Sequence, residues 1–90
     1  MMTLIWHAEA LDDLERIIGF IEAQNPAAAD RTGDAIRHTA DRLPDHPYMY
    51  RAGRVPGTRE ALVTPNYVIV YRVTAVIEIL AVKHTRQPYP

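Results

Sequence analysis

The sequence has 90 residues, a hydrophobic content of 48%, a charged content of 23% and a formal net charge of −1. A chain of this length forms one domain with one small core, so we expect a single domain over residues 1–90. The absence of cysteine excludes disulfides and thiol chemistry. No stretch is as long and apolar as a membrane-spanning helix, and the first residues lack the pattern of a signal peptide. We therefore expect a cytoplasmic protein that does not bind membranes.

The small net charge conceals a division between the two halves of the chain. Residues 1–45 carry four arginines against nine acidic residues, a net charge of −5. Residues 46–90 carry five arginines and one lysine against two glutamates, a net charge of +4. Such a division suggests two surfaces with different partners. A protein that binds mainly through phosphate contacts is usually basic overall, which this chain is not.

The N-terminal half predicts one short strand and a helical hairpin. A short apolar stretch from Thr3 to Trp6 indicates the strand, and a helical spacing of apolar residues begins after Ala8. Asn25 is a good N-cap and Pro26 suits the first helical position, so a second helix is predicted from there to about Leu43. The expected inner face of this second helix is mostly small: Ala29, Gly33, Ile36, Ala40 and Leu43.

The apolar stripe of the first helix is wider than a core contact requires. Its width, beside a second helix with little apolar area, leaves room for a groove that binds a partner, although the simplest reading of the stripe is core. The candidate groove residues are Leu14, Ile17, Ile18, Phe20 and Ile21.

Residues 44–57 contain three prolines and predict an ordered loop with no secondary structure. Three strands are predicted after it, at Thr58–Val63, Tyr67–Val73 and Val76–His84. The second of these is apolar almost throughout, as a central strand covered on both faces would be. The predicted fold is therefore α+β with the order β-α-α-β-β-β, in which the helical hairpin packs on one face of a small, mostly antiparallel sheet.

A series of short motifs runs along nearly the whole chain. They are W-x-x-x-A-x-x-D-L at 6–14, N-P-x-A-A at 25–29, G-R-x-P-G-T-R-E at 53–60, P-N-Y-V-I-V-Y-R-V at 65–73 and I-L-x-V-x-H at 79–84. Together and in this order they resemble the RelE/ParE superfamily of toxins from bacterial type II toxin–antitoxin systems. The resemblance implies a RelE/ParE-like fold and a growth-inhibiting toxin that a co-expressed antitoxin neutralises.

The superfamily has two mechanisms, which imply different residues. RelE-type members cut mRNA in the ribosome, whereas ParE-type members poison DNA gyrase. Cleavage at a 2′-hydroxyl needs a proton acceptor, a cation for the developing charge and an acid for the leaving oxygen. The resemblance implies cations at positions 59, 61 and 68, but this chain has alanine at 61 and valine at 68. The candidate residues for a ribonuclease are Arg59, Arg72, His84 and Tyr89.

Val68 is the most damaging departure, because it removes a cation from where phosphate charge would build up. Arg72 shares a strand face with Val68 by alternation, and it has an alternative structural role as the partner of Glu60 or Glu78 across the sheet. The segment after the last predicted strand is either a solvated tail or, as the resemblance implies, the border of the functional surface.

We therefore predict a ParE-like toxin that binds DNA gyrase and a cognate antitoxin, and that needs no cofactor and no metal. Two alternatives remain: a ribosome-dependent mRNA endonuclease, with the ribosome and mRNA as partners, and an inactive family member that acts only as a binding protein. The surface predicted to contact the target or an acidic antitoxin segment consists of Arg51, Arg54, Arg59, Arg72, Lys83 and Arg86.

Overall fold

The computed structural model describes residues 2–90 as a five-stranded sheet with two helices on one face. The strand order is β1-β5-β4-β3-β2, with β1 parallel to β5 and all other neighbours antiparallel. The α+β class and the mostly antiparallel sheet are therefore confirmed. The elements are β1 (Leu4–Trp6), α1 (Ala8–Glu22), α2 (Pro26–Arg42), β2 (Arg51–Ala52), β3 (Arg59–Thr64), β4 (Tyr67–Val73) and β5 (Ile77–His84).

The prediction of a loop without secondary structure at 44–57 was wrong, because β2 lies within it. Arg51 pairs with Glu60, and Ala52 pairs with Arg59 at the start of β3. A tight turn makes this pairing possible: the Gly53 N–H donates to the Thr58 carbonyl at 2.7 Å. Gly57 has a φ of 85°, which favours glycine, and it helps the chain reverse direction.

Helix α2 begins where the sequence predicts. The Asn25 side chain accepts the Ala28 N–H at 3.0 Å, and Pro26 occupies the first helical position. Every residue of the predicted inner face is buried, so the small side chains let α2 pack closely. Helix α1 differs: Leu14 is buried, but Leu11 is 47% exposed and Phe20 is 66% exposed. Part of its apolar stripe therefore faces outward.

The core lies between the helices and one face of the sheet. Residues of the strands form one hydrophobic cluster with residues of the hairpin, which include Leu14, Ile36, Ala40 and Leu43. The largest strand residue of this cluster, Tyr71, is fully buried and donates its hydroxyl to the Pro47 carbonyl at 2.8 Å. No helix within residues 2–90 has the length and apolar character needed to span a membrane.

Strand β1 covers only the first part of β5. The His7 N–H donates to the Ile79 carbonyl at 2.9 Å, and the strand pairing ends there. On the other side of β5, the pairing with β4 steps past Leu80, which is the extra residue of a β-bulge. Beyond this point the buried Val82 N–H donates to the Asp13 carboxylate of α1 at 3.0 Å. A side chain thus takes the place that a longer β1 would occupy.

Candidate partner-binding surfaces

The C-terminal segment after β5 crosses the sheet face opposite the helices. Thr85 starts the crossing, with its N–H donating to the Asn66 carbonyl at 2.8 Å and its hydroxyl to the Pro65 carbonyl at 2.9 Å. The hydroxyl of Tyr89 ends it by donating to the Glu60 carboxylate. The segment therefore runs from one end of the β4–β5 hairpin to β3.

Strand β4 is buried on both faces, as its apolar sequence predicts. Val68 and Val70 point away from the helices, yet they are only 1% and 4% exposed. Glu60 pairs with Val70, so the Tyr89 side chain that reaches Glu60 lies on the same face as these valines. The segment is therefore anchored at Thr85 and Tyr89, while Arg86, Gln87 and Pro88 between them are exposed to solvent.

Glu60 is the centre of a charged cluster on this face. Its carboxylate is nearly fully buried and accepts from the Arg51 guanidinium at 2.9 Å and from the Arg54 N–H at 3.1 Å. The Arg54 guanidinium also lies 4.3 Å from the centre of the Tyr89 ring. Burial raises the pKa of the Glu60 carboxyl, but hydrogen bonds from Tyr89, Arg54 and Arg51 outweigh it and leave the pKa below its usual value.

The same contacts make Tyr89 a weak acid. Burial, followed by the hydrogen bond to the Glu60 carboxylate and its charge, raises the pKa of the Tyr89 hydroxyl to about 12. A general acid works best when its pKa lies near the operating pH. Tyr89 is therefore poorly matched to that role while it is held by Glu60.

A second carboxylate, Glu78, organises the C-terminal end of β4, where it pairs with Arg72. It accepts two hydrogen bonds from Arg72, at 2.9 and 3.1 Å, one from His7 at 2.9 Å and one from Thr74 at 3.2 Å. The Arg72 hydrogen bond is the largest cause that lowers the pKa of Glu78 to about 2, and it raises the pKa of Arg72 in return. The predicted structural pairing of Arg72 is confirmed, with Glu78 as the partner.

The four ribonuclease candidates do not lie together. Arg59 and Glu60 are neighbours on β3 and point to opposite faces, so Arg59 lies on the helix side and Tyr89 on the other. His84 pairs with Tyr67, five residues from Arg72 along β4, a separation of roughly 17 Å. His84 Nδ1 also accepts the Arg86 N–H at 3.1 Å.

Both positions where the resemblance implies missing cations lie inside the protein. Ala61 belongs to the core beneath the helices, and Val68 is buried on the opposite face of the sheet. A longer basic side chain at either position would need a new environment, so no cation is simply absent from an open pocket.

The six cations predicted to form one surface are spread over both faces and mostly neutralised. Arg51 and Arg54 pair with Glu60, Arg72 pairs with Glu78, and the Lys83 ammonium lies 3.8 Å from the Asp13 carboxylate. Within residues 2–90, Arg59 and Arg86 are the two of the six without a carboxylate partner. The pairing carboxylates were missed as site residues, although Glu60 stands in the G-R-x-P-G-T-R-E motif together with Arg54, one of the two arginines that it pairs with.

The predicted groove on the hairpin is divided by α1. Leu14 and Ile18 line a groove of about 460 Å³ between the helices, together with Leu11 and Arg37. Ile17 and Phe20 line a second groove of about 250 Å³ on the other side of α1, next to Val82, His84 and Tyr67. Ile21 lines neither groove. The partner that these surfaces bind stays a prediction.

Within residues 2–90, no three side chains of the metal-binding types come together to hold a metal ion.

The fold and the motifs define a small toxin of the type II toxin–antitoxin class. Residues 4–89 match the family model described as the ParE toxin of the type II toxin–antitoxin system parDE. The chain belongs to the ParE toxin family. It is 37% identical over 86 residues to Y4kP of Sinorhizobium fredii, a protein named as a candidate toxin, and the match covers 94% of this chain and 90% of Y4kP.

Two solved structures share the fold. One is described as the chromosomal ParDE system of P. aeruginosa, with a TM-score of 0.82, 25% identity, and coverage of 93% of this chain and 96% of that one. The other is the protein HP0894 of Helicobacter pylori, with a TM-score of 0.61, 15% identity, and coverage of 97% and 98%. The second likeness concerns the fold alone.

Proposed function

We propose that this chain is the toxin of a toxin–antitoxin pair, that a cognate antitoxin neutralises it, and that it inhibits growth by binding DNA gyrase. Membership of the ParE family supports the proposal, as does the similarity to a structure described as a ParDE system. The gyrase target comes from the resemblance to the ParE branch, whose members poison that enzyme.

The observation that favours a binding mechanism over RNA cleavage is that most of the candidate cations are paired with carboxylates. A phosphoryl transition state needs positive charge aimed at the phosphate. Arg72 donates two hydrogen bonds to Glu78, and Arg51 and Arg54 form ion pairs with Glu60. The remaining candidates lie on opposite faces or at opposite ends of the sheet. This arrangement supports a protein-binding toxin.

The hairpin is the proposed site for the antitoxin. Leu11 and Phe20 are large apolar residues exposed beside the two grooves of α1. An amphipathic helix that places its apolar face in such a groove is a common recognition mode. The antitoxin can also add a strand to the sheet, since β2 covers only the first two residues of β3.

The test is to induce the toxin without its antitoxin and identify the macromolecule that breaks first. We expect growth arrest, DNA damage signalling and intact mRNA, and with purified proteins we expect inhibition of gyrase. The protein encoded beside the toxin gene should restore growth and bind the toxin directly.

A His84→Ala variant separates the mechanisms. Primer extension that finds cuts within translated codons, lost in His84→Ala, would contradict gyrase binding and favour the ribonuclease. Unimpaired growth at normal protein levels would contradict the toxin proposal itself and favour an inactive binding protein.

A further inference from the structure

We propose that the recess around Arg59 binds a carboxylate side chain of the antitoxin. The inference rests on the proposed function, because it names the contact that would hold an acidic antitoxin segment. The recess has a volume of about 310 Å³ and lies where β2 ends and β3 begins, on the face of the sheet that carries Tyr71. Its walls are Tyr48, Ala52, Gly57, Thr58, Arg59 and Val73.

The first argument is the unused hydrogen-bonding capacity of Arg59. Its Nη1 donates to the Tyr50 carbonyl at 2.9 Å and, at the limit of a hydrogen bond, to the Tyr48 carbonyl at 3.5 Å. A guanidinium carries five N–H donors. The three on Nε and Nη2 have no protein acceptor within residues 2–90. A carboxylate can accept two of them side by side, which is the strongest pairing that arginine makes.

The second argument is that Arg59 is held in place before any partner arrives. The Tyr50 carbonyl fixes one edge of the guanidinium, which lies 4.9 Å from the centre of the Tyr48 ring. A side chain that is already oriented loses less conformational entropy on binding. Tyr48 and the next residue in the chain, Met49, are 65% and 55% exposed. Tyrosine, methionine and arginine are residue types enriched at protein interfaces.

The third argument selects a protein carboxylate over a nucleic-acid phosphate. Nucleic-acid binding gains its affinity from many phosphate contacts made by several cations. The neighbouring cations Arg51 and Arg54 are already paired with Glu60. A single free guanidinium with an aromatic wall fits one acidic side chain flanked by apolar ones.

The test measures binding of the antitoxin, the protein encoded beside the toxin gene, to purified toxin variants by calorimetry. Arg59→Gln removes the charge. We expect it to raise the dissociation constant of the toxin–antitoxin complex about 10- to 100-fold, the range for loss of a charge-assisted hydrogen-bonded pair. Ala52→Glu tests the same recess without removing Arg59. Residue 52 lies directly opposite Arg59 on the neighbouring strand. A glutamate there would pair with the Arg59 guanidinium and compete with the antitoxin carboxylate for it.

Matched controls keep the interpretation sharp. Ala52→Gln adds similar bulk without charge, so a loss shared by both Ala52 variants measures crowding of the recess, and we expect a further loss of affinity in Ala52→Glu from its pairing with Arg59. Arg31→Gln makes the same charge change at an exposed position of α2 that lines neither groove of the hairpin, and it is expected to be neutral. If Arg59→Gln loses its fold, Ala52→Glu decides alone.

The outcomes separate this inference from the proposed function. Tight antitoxin binding by wild type, Arg59→Gln and Ala52→Glu alike would overturn the recess and leave the toxin proposal standing. Failure of the wild-type toxin to bind the antitoxin would overturn both. Loss of single-stranded oligonucleotide binding in Arg59→Gln, with antitoxin binding unchanged, would overturn the carboxylate and favour a phosphate ligand.

Discussion

The Asp13 carboxylate in α1 accepts the backbone N–H of Val82 in β5 at 3.0 Å, joining residues 69 positions apart in the sequence. The contact is buried, and the same carboxylate also pairs with Arg16 and lies 3.8 Å from the Lys83 ammonium. The Asp13 carboxylate thus accepts the Val82 N–H, which β1 is too short to reach. Asp13 therefore replaces a missing stretch of sheet and fixes α1 against β5.

We predict that Asp13→Ala lowers the free energy of unfolding by about 1–3 kcal/mol, because the buried Val82 N–H loses its acceptor. Urea denaturation measures the change. Asp12→Ala is the matched control, since Asp12 is exposed on the same helix, and it should stay within about 0.5 kcal/mol of wild type. Equal stabilities of the two variants would contradict the structural role of Asp13.

A second prediction concerns alkaline pH. The pKa of Tyr89 is raised from an ordinary value near 10 to about 12 in the folded protein. Its contribution to stability is therefore fully present below about pH 10 and is lost as the pH rises toward 12. Tyr89→Phe keeps the ring near Arg54 and removes the titrating hydroxyl.

We expect the Tyr89→Phe variant to lose less stability between pH 10 and 12 than the wild type loses. The free energy of unfolding, measured across this range, checks the expectation. Tyr71 also has a raised pKa, so some alkaline loss should remain in the variant. Tyr48→Phe, at an exposed tyrosine, serves as the control and should follow the wild-type curve. A Tyr89→Phe curve that also follows it would refute the prediction.

A third prediction concerns acid. The pKa of Glu78 is lowered from its ordinary value of 4.5 to about 2, chiefly by the Arg72 hydrogen bond. Its contribution to stability is present above about pH 4.5 and is lost as the pH falls toward 2. Glu78→Gln should therefore be less stable than wild type at pH 6, and the difference should shrink steadily below pH 4.5.

Thermal unfolding at several pH values measures this convergence. Glu22→Gln, at an exposed position of α1, is the control and should parallel the wild type at every pH. Glu60 also has a lowered pKa, so the Glu78→Gln variant should keep some acid sensitivity. A constant gap between Glu78→Gln and wild type down to pH 2 would contradict the role assigned to the Arg72–Glu78 pair.

A fourth prediction contrasts the two helical glycines. A Cβ added at Gly19 would meet no heavy atom within 4 Å, so Gly19→Ala should stabilise α1 by about 0.5–1 kcal/mol through its higher helix propensity. A Cβ at Gly33 would lie 2.9 Å from Ile18 Cδ1 and 3.0 Å from Arg37 Nη1. Gly33→Ala should therefore gain less, because those side chains must move. Urea denaturation of both variants tests the order, and a greater gain at Gly33 would reverse it.

The elements that sequence predicted well are those governed by local rules. Helix α2 was predicted from an N-cap asparagine, a proline at the first position and a spacing of small residues, and all three signals depend on neighbours within a few residues. The apolar run of β4 correctly indicated burial on both faces. The resemblance to toxins was specific because the motifs occur in order along the chain.

The features that sequence missed depend on register between distant segments. The pairing of Arg51 and Ala52 with β3 requires the turn through Gly53 and Gly57, which a count of prolines does not reveal. Nothing local indicates that the Glu60 carboxylate accepts hydrogen bonds from Arg51, Arg54 and Tyr89 at once. Counting arginines therefore predicted a basic surface, whereas the cross-strand contacts neutralise most of it.

The parallel pairing of β1 with β5 has a consequence for biosynthesis. Leu4 pairs with Ile77, so the first strand waits for more than seventy further residues before its neighbour exists. Closing such long loops is slow compared with forming local helices. During translation the emerging polypeptide can form its hairpin early, but the sheet that supports it is completed only when β5 leaves the ribosome. Nascent fragments that lack β5 are thus structurally incomplete, so toxic activity must await the synthesis of β5.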